Sequence, residues 1–78
     1  MKRIYCVVPN LDLTGLIVDD LLLAQVEDRH IDVLAKWGRL FLMVDVPGNR
    51  VDEIHQLVQK RHPAAAFAGV EGITPSFR

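Results

Sequence analysis

Three histidines, one cysteine and two adjacent acidic pairs are the side chains of this 78-residue chain most able to do chemistry. His30, His55 and His62 could offer imidazole nitrogens to a transition metal, and Cys6 could supply a thiolate nucleophile. Asp19-Asp20 and Asp52-Glu53 could work as carboxylate pairs in proton transfer. Spacing argues against each use. His55 precedes His62 by seven positions, which is about 10 Å along a helix, whereas the donors of one ion each sit about 2 Å from it. His30 and His62 each follow the end of a helical segment, and antiparallel helices would carry them to opposite ends of a domain. There is no Cys-x-x-Cys pair. No metal and no cofactor is therefore expected, and the histidines read as helix-end caps and surface residues. Cys6 alternates with Ile4 and Val8 on an apolar strand face, where a free cysteine behaves as a small hydrophobe. No Ser/His/Asp set, phosphate-binding glycine loop or inward carboxylate pair can be assembled, and the acidic pairs read as solvated helix faces. No catalytic residue is assigned, and an enzyme is not the expected class.

The elements that would position these residues come twice. A strand-like run ends in Val8-Pro9 and again in Val46-Pro47, and an amphipathic segment ends in Arg29-His30 and again in Arg61-His62. Residues 3–8 are β-branched and aromatic, and Pro9-Asn10 stops them. Leu13, Leu16, Ile17, Leu21 and Ala24 recur at helical spacing and predict a first helix over about 12–28, capped by Asn10 or Asp12. Residues 30–36 and 39–46 alternate on either side of Trp37-Gly38 and predict a hairpin. Val51, Ile54, Leu57 and Val58 predict a second helix over about 49–61, with acid at its start, base at its end and Pro63 beyond it. Residues 65–70 form a weaker fourth strand. The order βαββαβ, with right-handed crossovers, specifies an α+β fold. It is the ferredoxin-like two-layer sandwich, an antiparallel sheet in order 4-1-3-2 with two helices on one face. One domain over residues 1–71 and a tail over 72–78 are expected.

Composition narrows the partners. Half the residues are hydrophobic, the net charge is −1 and the single cysteine allows no intrachain disulfide. With a pI near 6.2 there is no basic field for nucleic acid or anionic lipid. Asp12, Asp19 and Asp20 interrupt the longest apolar stretch, Leu11 to Val26, so direct membrane insertion is not expected. The N-terminal residues lack a signal-peptide core, which makes the cytoplasm the expected location.

Period-two alternation divides the sheet into two faces. Ile4, Cys6 and Val8, Ile31, Val33 and Ala35, and Leu40, Leu42, Val44 and Val46 are assigned to the helix-facing core. The opposite face then carries Tyr5, Val7, Leu34, Phe41 and Met43, and Phe67 is placed with them. Asp32, Lys36 and Asp45 surround that centre. An uncovered sheet face should be polar, and an apolar centre of this kind marks an interface. Self-association into a dimer, or a protein partner, is expected there. The alternative is that the tail folds back and covers the face with Ile73 and Phe77.

Three resemblances add to this reading. Ile4 to Leu11 resembles the first motif of RNA-recognition domains, but Gly38 to Met43 lacks the aromatic pair of that family, and no nucleic acid is expected. Asp45-Val46-Pro47-Gly48-Asn49-Arg50-Val51 resembles the strand-to-helix turn of ACT regulatory domains, although in that family the turn follows the first strand. The likeness implies an amino acid or small carboxylate bound at Pro47-Gly48-Asn49, with Asp45, Gly48 and Asn49 as ligand-binding residues at a helix N-terminus. The same residues also suit an ordinary β-to-α turn. Finally, two blocks are similar to the ends of an uncharacterised bacterial membrane-protein family, in which a Gly/Ala-rich membrane hairpin separates them. The first runs from Val7-Val8-Pro9 to Val33-Leu34-Ala35, the second from Met43-Val44-Asp45-Val46-Pro47 to Gly69-Val70-Glu71. Here Lys36-Trp37-Gly38-Arg39 joins them directly. That likeness implies one folded unit and a hairpin tip that accepts insertions, and it implies no activity. The expected function is a non-catalytic interaction or sensory module.

Overall fold

A computed structural model describes residues 1–72. The order is β1 (Lys2–Val8), α1 (Leu11–Leu23), a 3-10 turn (Asp28–His30), β2 (Ile31–Lys36), β3 (Arg39–Val46), a 3-10 turn (Gly48–Arg50), α2 (Val51–Arg61) and β4 (Ala66–Gly72). The strands form one antiparallel sheet in order β2-β3-β1-β4, which is 4-1-3-2 read from the other edge. The fold is α+β and compatible with the ferredoxin-like sandwich. Ile4, Cys6, Val8, Leu42, Val44 and Val46 of the central strands meet Ile17 and Leu21 of α1 and Ile54 and Val58 of α2 in the core.

Helix α1 begins as its sequence suggests. Asn10 is the cap, and its Oδ1 accepts from the backbone N–H of Leu13 at 2.7 Å. The helix ends earlier than the periodicity suggests. Gln25 turns left-handed (φ 67°), its N–H donates to the Leu22 carbonyl, and the Val26 N–H donates to the Leu21 carbonyl. That pattern is a Schellman motif, completed by the contact of buried Val26 with the Leu21 layer. The stop is encoded by Val26, which must turn inward. No glycine announces it. Leu16, expected on the buried stripe, is 57% exposed, and Thr14 takes an inward position instead.

Three further expectations are corrected. Strand β4 runs to Gly72, which pairs with Lys2, so residue 72 belongs to the sheet. Val33 and Ala35 are exposed, because β2 is an edge strand on the side of the sheet away from β4. Phe67 lies opposite Cys6 on the helix-facing side and stacks on His55 of α2 with ring centroids 4.1 Å apart. Its change of face follows from a bulge. Tyr5 pairs with Gly69 and Cys6 with Phe67, so Ala68 is the extra residue. Gly69, at φ 143°, provides a backbone geometry that is essentially glycine's alone.

Candidate functional site

The sheet face away from the helices collects the residues predicted for an interface. Register places them in rows, because directly opposed residues of an antiparallel pair share a face. Arg3, Asp45 and Glu71 form the first row; Tyr5, Met43 and Asp32 the second; Val7, Phe41 and Leu34 the third; Arg39 and Lys36 the fourth. Leu34 is 43% exposed, and Tyr5, Val7, Phe41 and Met43 are partly exposed. Tyr5, Leu34, Phe41 and Met43 line a shallow groove of about 170 Å³, and Lys36 and Trp37 wall its end.

The polar border is held by its own contacts. Arg3 donates to Asp45 through Nε at 2.8 Å and through its terminal nitrogen at 3.1 Å. This fork-like pair raises the Arg3 pKa above its usual value, chiefly through the hydrogen bonds. The Tyr5 hydroxyl donates to Glu71 at 2.9 Å, and that bond, followed by desolvation, pushes the phenol up from its usual range. Tyr5 therefore keeps its ring on the face and its oxygen on the border.

Trp37 is a functional candidate that its place in the Trp37-Gly38 turn does not by itself reveal. Trp37 (φ 54°) and Gly38 (φ 70°) are both left-handed, the pattern of a type I′ hairpin. A left-handed conformation costs a non-glycine residue about 1–2 kcal/mol. The ring is 79% exposed, with the Lys36 ammonium 4.5 Å from its centroid. A tryptophan where asparagine or glycine would be less strained is the signal that could have drawn attention to it. Leu16 and Leu23 are also exposed, on the outer face of α1, interleaved with Asp12 and Asp19.

Asp45 lies on β3, and Gly48 and Asn49 lie just beyond its end. The Asp45 carboxylate is held by Arg3, while Gly48 and Asn49 lie in the 3-10 turn before α2. A Cβ on Gly48 would meet only Lys2 Cγ, at 3.8 Å, so no close approach demands glycine there. A neighbouring cavity of about 250 Å³ is lined by Asp45, Pro47 and Arg50 together with Glu27 and His30. Gly48 and Asn49 are not in its wall. The Arg50 guanidinium is already engaged: it donates to both Glu53 carboxylate oxygens at 3.0 and 2.8 Å and to the Ala24 carbonyl at 2.8 Å. It thereby ties the start of α2 to the end of α1.

The two Arg-His pairs do different work. Arg29 contacts Glu27, and His30 closes the 3-10 turn through its backbone. Arg61 Nε and His62 Nε2, in contrast, both meet Asp20 Oδ2, at 2.7 and 2.6 Å. The Asp20 side chain is only 14% exposed. Asp20 is therefore a clamp between the helices, which corrects its reading as part of a solvated face. His62 caps the C-terminus of α2, as expected, its N–H donating to the Val58 carbonyl, but its side chain is buried as an inter-helix partner and does not lie on the surface. Among the described residues, no group of three or more His, Cys, Asp or Glu is placed to hold a metal ion.

The clamp has a pH consequence. Bonds from Arg61, then from His62, hold the Asp20 carboxyl below its ordinary value of 3.8. A depressed folded-state pKa adds stability above the unfolded value and loses it as pH falls through the folded one. Asp20→Asn is expected to lower the melting temperature at neutral pH and to narrow the difference from the parent as pH falls below about 4. Melting curves across that range check it; a difference that stays constant with pH would remove Asp20 from the account of acid sensitivity.

Cys6 is buried and free, and desolvation pushes its thiol up to about 11. At neutral pH it is therefore a protonated core residue. Iodoacetamide is expected to leave it unmodified in the folded chain and to label it fully in denaturant, as mass spectrometry would show. Rapid native labelling would contradict this.

Among the described residues, no helix is long and apolar enough to cross a membrane. The expectation that Ile73 and Phe77 cover the sheet face lies outside the described residues. No protein-family model and no curated protein sequence matches this chain.

Proposed function

We propose that this chain is a small interaction module that associates with a second copy of itself through the open sheet face. The observation that carries the reading is the continuous apolar centre formed by Tyr5, Val7, Leu34, Phe41 and Met43 on the face opposite both helices. An apolar sheet face bounded by polar pairs is what an interface core and rim look like before the partner arrives. The border supports the same reading, because Arg3–Asp45 and Tyr5–Glu71 satisfy their polar atoms within one chain. Closing the face then leaves few orphaned donors.

The positions of the reactive side chains favour binding over catalysis. Cys6 is in the core, Asp20, Arg61 and His62 join the helices, and His55 packs on Phe67. Sedimentation equilibrium over a wide concentration range tests the proposal. A mass rising from one chain to two with concentration is expected; a single-chain mass at the highest concentration would overturn it.

A further inference from the structure

The charges on the open face are segregated along the strands. Arg3 and Asp45 neutralise one another. Of the remaining charged side chains in the four rows, Asp32 and Glu71 lie toward one end, while Lys36 and Arg39 occupy the hairpin end. Asp32 and Lys36 are on the same edge strand, four residues and about 13 Å apart, with Leu34 midway between them.

A two-fold axis can bring this face onto a copy of itself in two simple ways. An axis along the strands lays the hairpin ends together, so Lys36 and Arg39 meet the same cations in the other chain. An axis across the strands, through the Leu34–Phe41 row, reverses the second copy and sets the hairpin end of each chain over the acidic end of the other. Like charges brought together at an interface are strongly unfavourable, and complementary ones fix register.

Resting on the proposed self-association, we infer that the module docks as an antiparallel two-fold dimer across the Leu34–Phe41 row. Lys36 of each chain faces the partner's Asp32, and Arg39 lies over the partner's Met43, beside its Tyr5. Leu34 sits at the axis and meets its own copy, which explains why the most exposed apolar side chain of the open face's central rows is at its charge midpoint. The two sheets then stack at the usual separation of about 10 Å, which Lys and Asp side chains can span.

Charge reversal tests the register. Lys36→Glu alone and Asp32→Lys alone are each expected to weaken dimerisation about ten-fold or more, because each places two like-charged pairs in one interface. The double variant Asp32→Lys/Lys36→Glu, which exchanges the two charges, is expected to recover most of the parental affinity. An equimolar mixture of the two single variants gives a heterodimer in which both cross-interface pairs set an acid against a base, and is expected to bind more tightly than either variant alone. Circular dichroism establishes that each variant is folded. If the double variant stays as weak as the singles, or the singles bind like the parent, this register is wrong. Phe41→Asp separates the two levels of the proposal. Should Phe41→Asp abolish the dimer while charge reversal has no effect, the face is the interface and only the register fails. Should neither matter, or should the parent chain be monomeric throughout, both fail.

Discussion

Leu42→Ala is expected to remove about 2–5 kcal/mol of folding stability. Leu42 is fully buried on β3, one of the two central strands, directly opposite Cys6 and Val33. Its neighbours belong to a sheet whose strand spacing is set by backbone hydrogen bonds, so they close only partly around the lost volume. A chain of this size has only about 4–12 kcal/mol in total. The substitution is therefore expected to leave a marginal or partly unfolded protein. Urea denaturation at fixed protein concentration measures it, since association would otherwise contribute. The midpoint should fall while the slope stays unchanged. A loss below about 1 kcal/mol would mean that the centre of the sheet repacks freely.

Phe41→Asp, one residue away, is expected to do the opposite. Phe41 points to the other face, between Val7 and Leu34 in its row. The folded chain should survive, with a stability change of about 1 kcal/mol from a poor strand residue on a central strand. Self-association should weaken about a hundred-fold or more, since a buried aromatic anchor is replaced by a charge and the two-fold repeats the change. Sedimentation equilibrium with circular dichroism reads both effects. Leu16→Asp on the outer face of α1 provides the comparison: it introduces the same charge at an exposed leucine and should leave the mass unchanged. If Leu16→Asp dissociates the protein and Phe41→Asp does not, α1 is the contact surface.

The contrast between these neighbours shows what alternation along a strand can reveal. Alternation puts Leu40, Leu42, Val44 and Val46 on one face and Phe41, Met43 and Asp45 on the other, and the structure keeps that division. Local punctuation was equally readable where one residue type dominates: Asn10 caps α1, Pro63 follows α2, and Trp37-Gly38 turns the hairpin. Where the signal is spread over several residues, no local pattern reveals it. The α1 stop depends on Gln25 accepting a left-handed backbone so that Val26 can be buried, and Gln is not a usual marker. The face of Phe67 depends on a bulge at Ala68, which inverts the alternation that a regular strand would have given.

The candidate site divides in the same way. Tyr5, Val7, Leu34, Phe41 and Met43 could be placed together from period two and the element order alone. Their border could not. Arg3 finds Asp45, Tyr5 finds Glu71, and Asp20 finds Arg61 and His62 across 41 or more residues of chain.

The amino-acid sequence by itself thus determined the βαββαβ order, the two faces of the central strands and the apolar centre of the open one. Each of these depends on side-chain spacing within a few residues and on the handedness of crossovers, which are local properties. Only the tertiary structure decided which charges neutralise one another, which histidine joins the helices, and that the open face is acidic at one end and basic at the other. Those outcomes depend on strand register and helix approach, and register is a relation between distant segments that no local pattern contains.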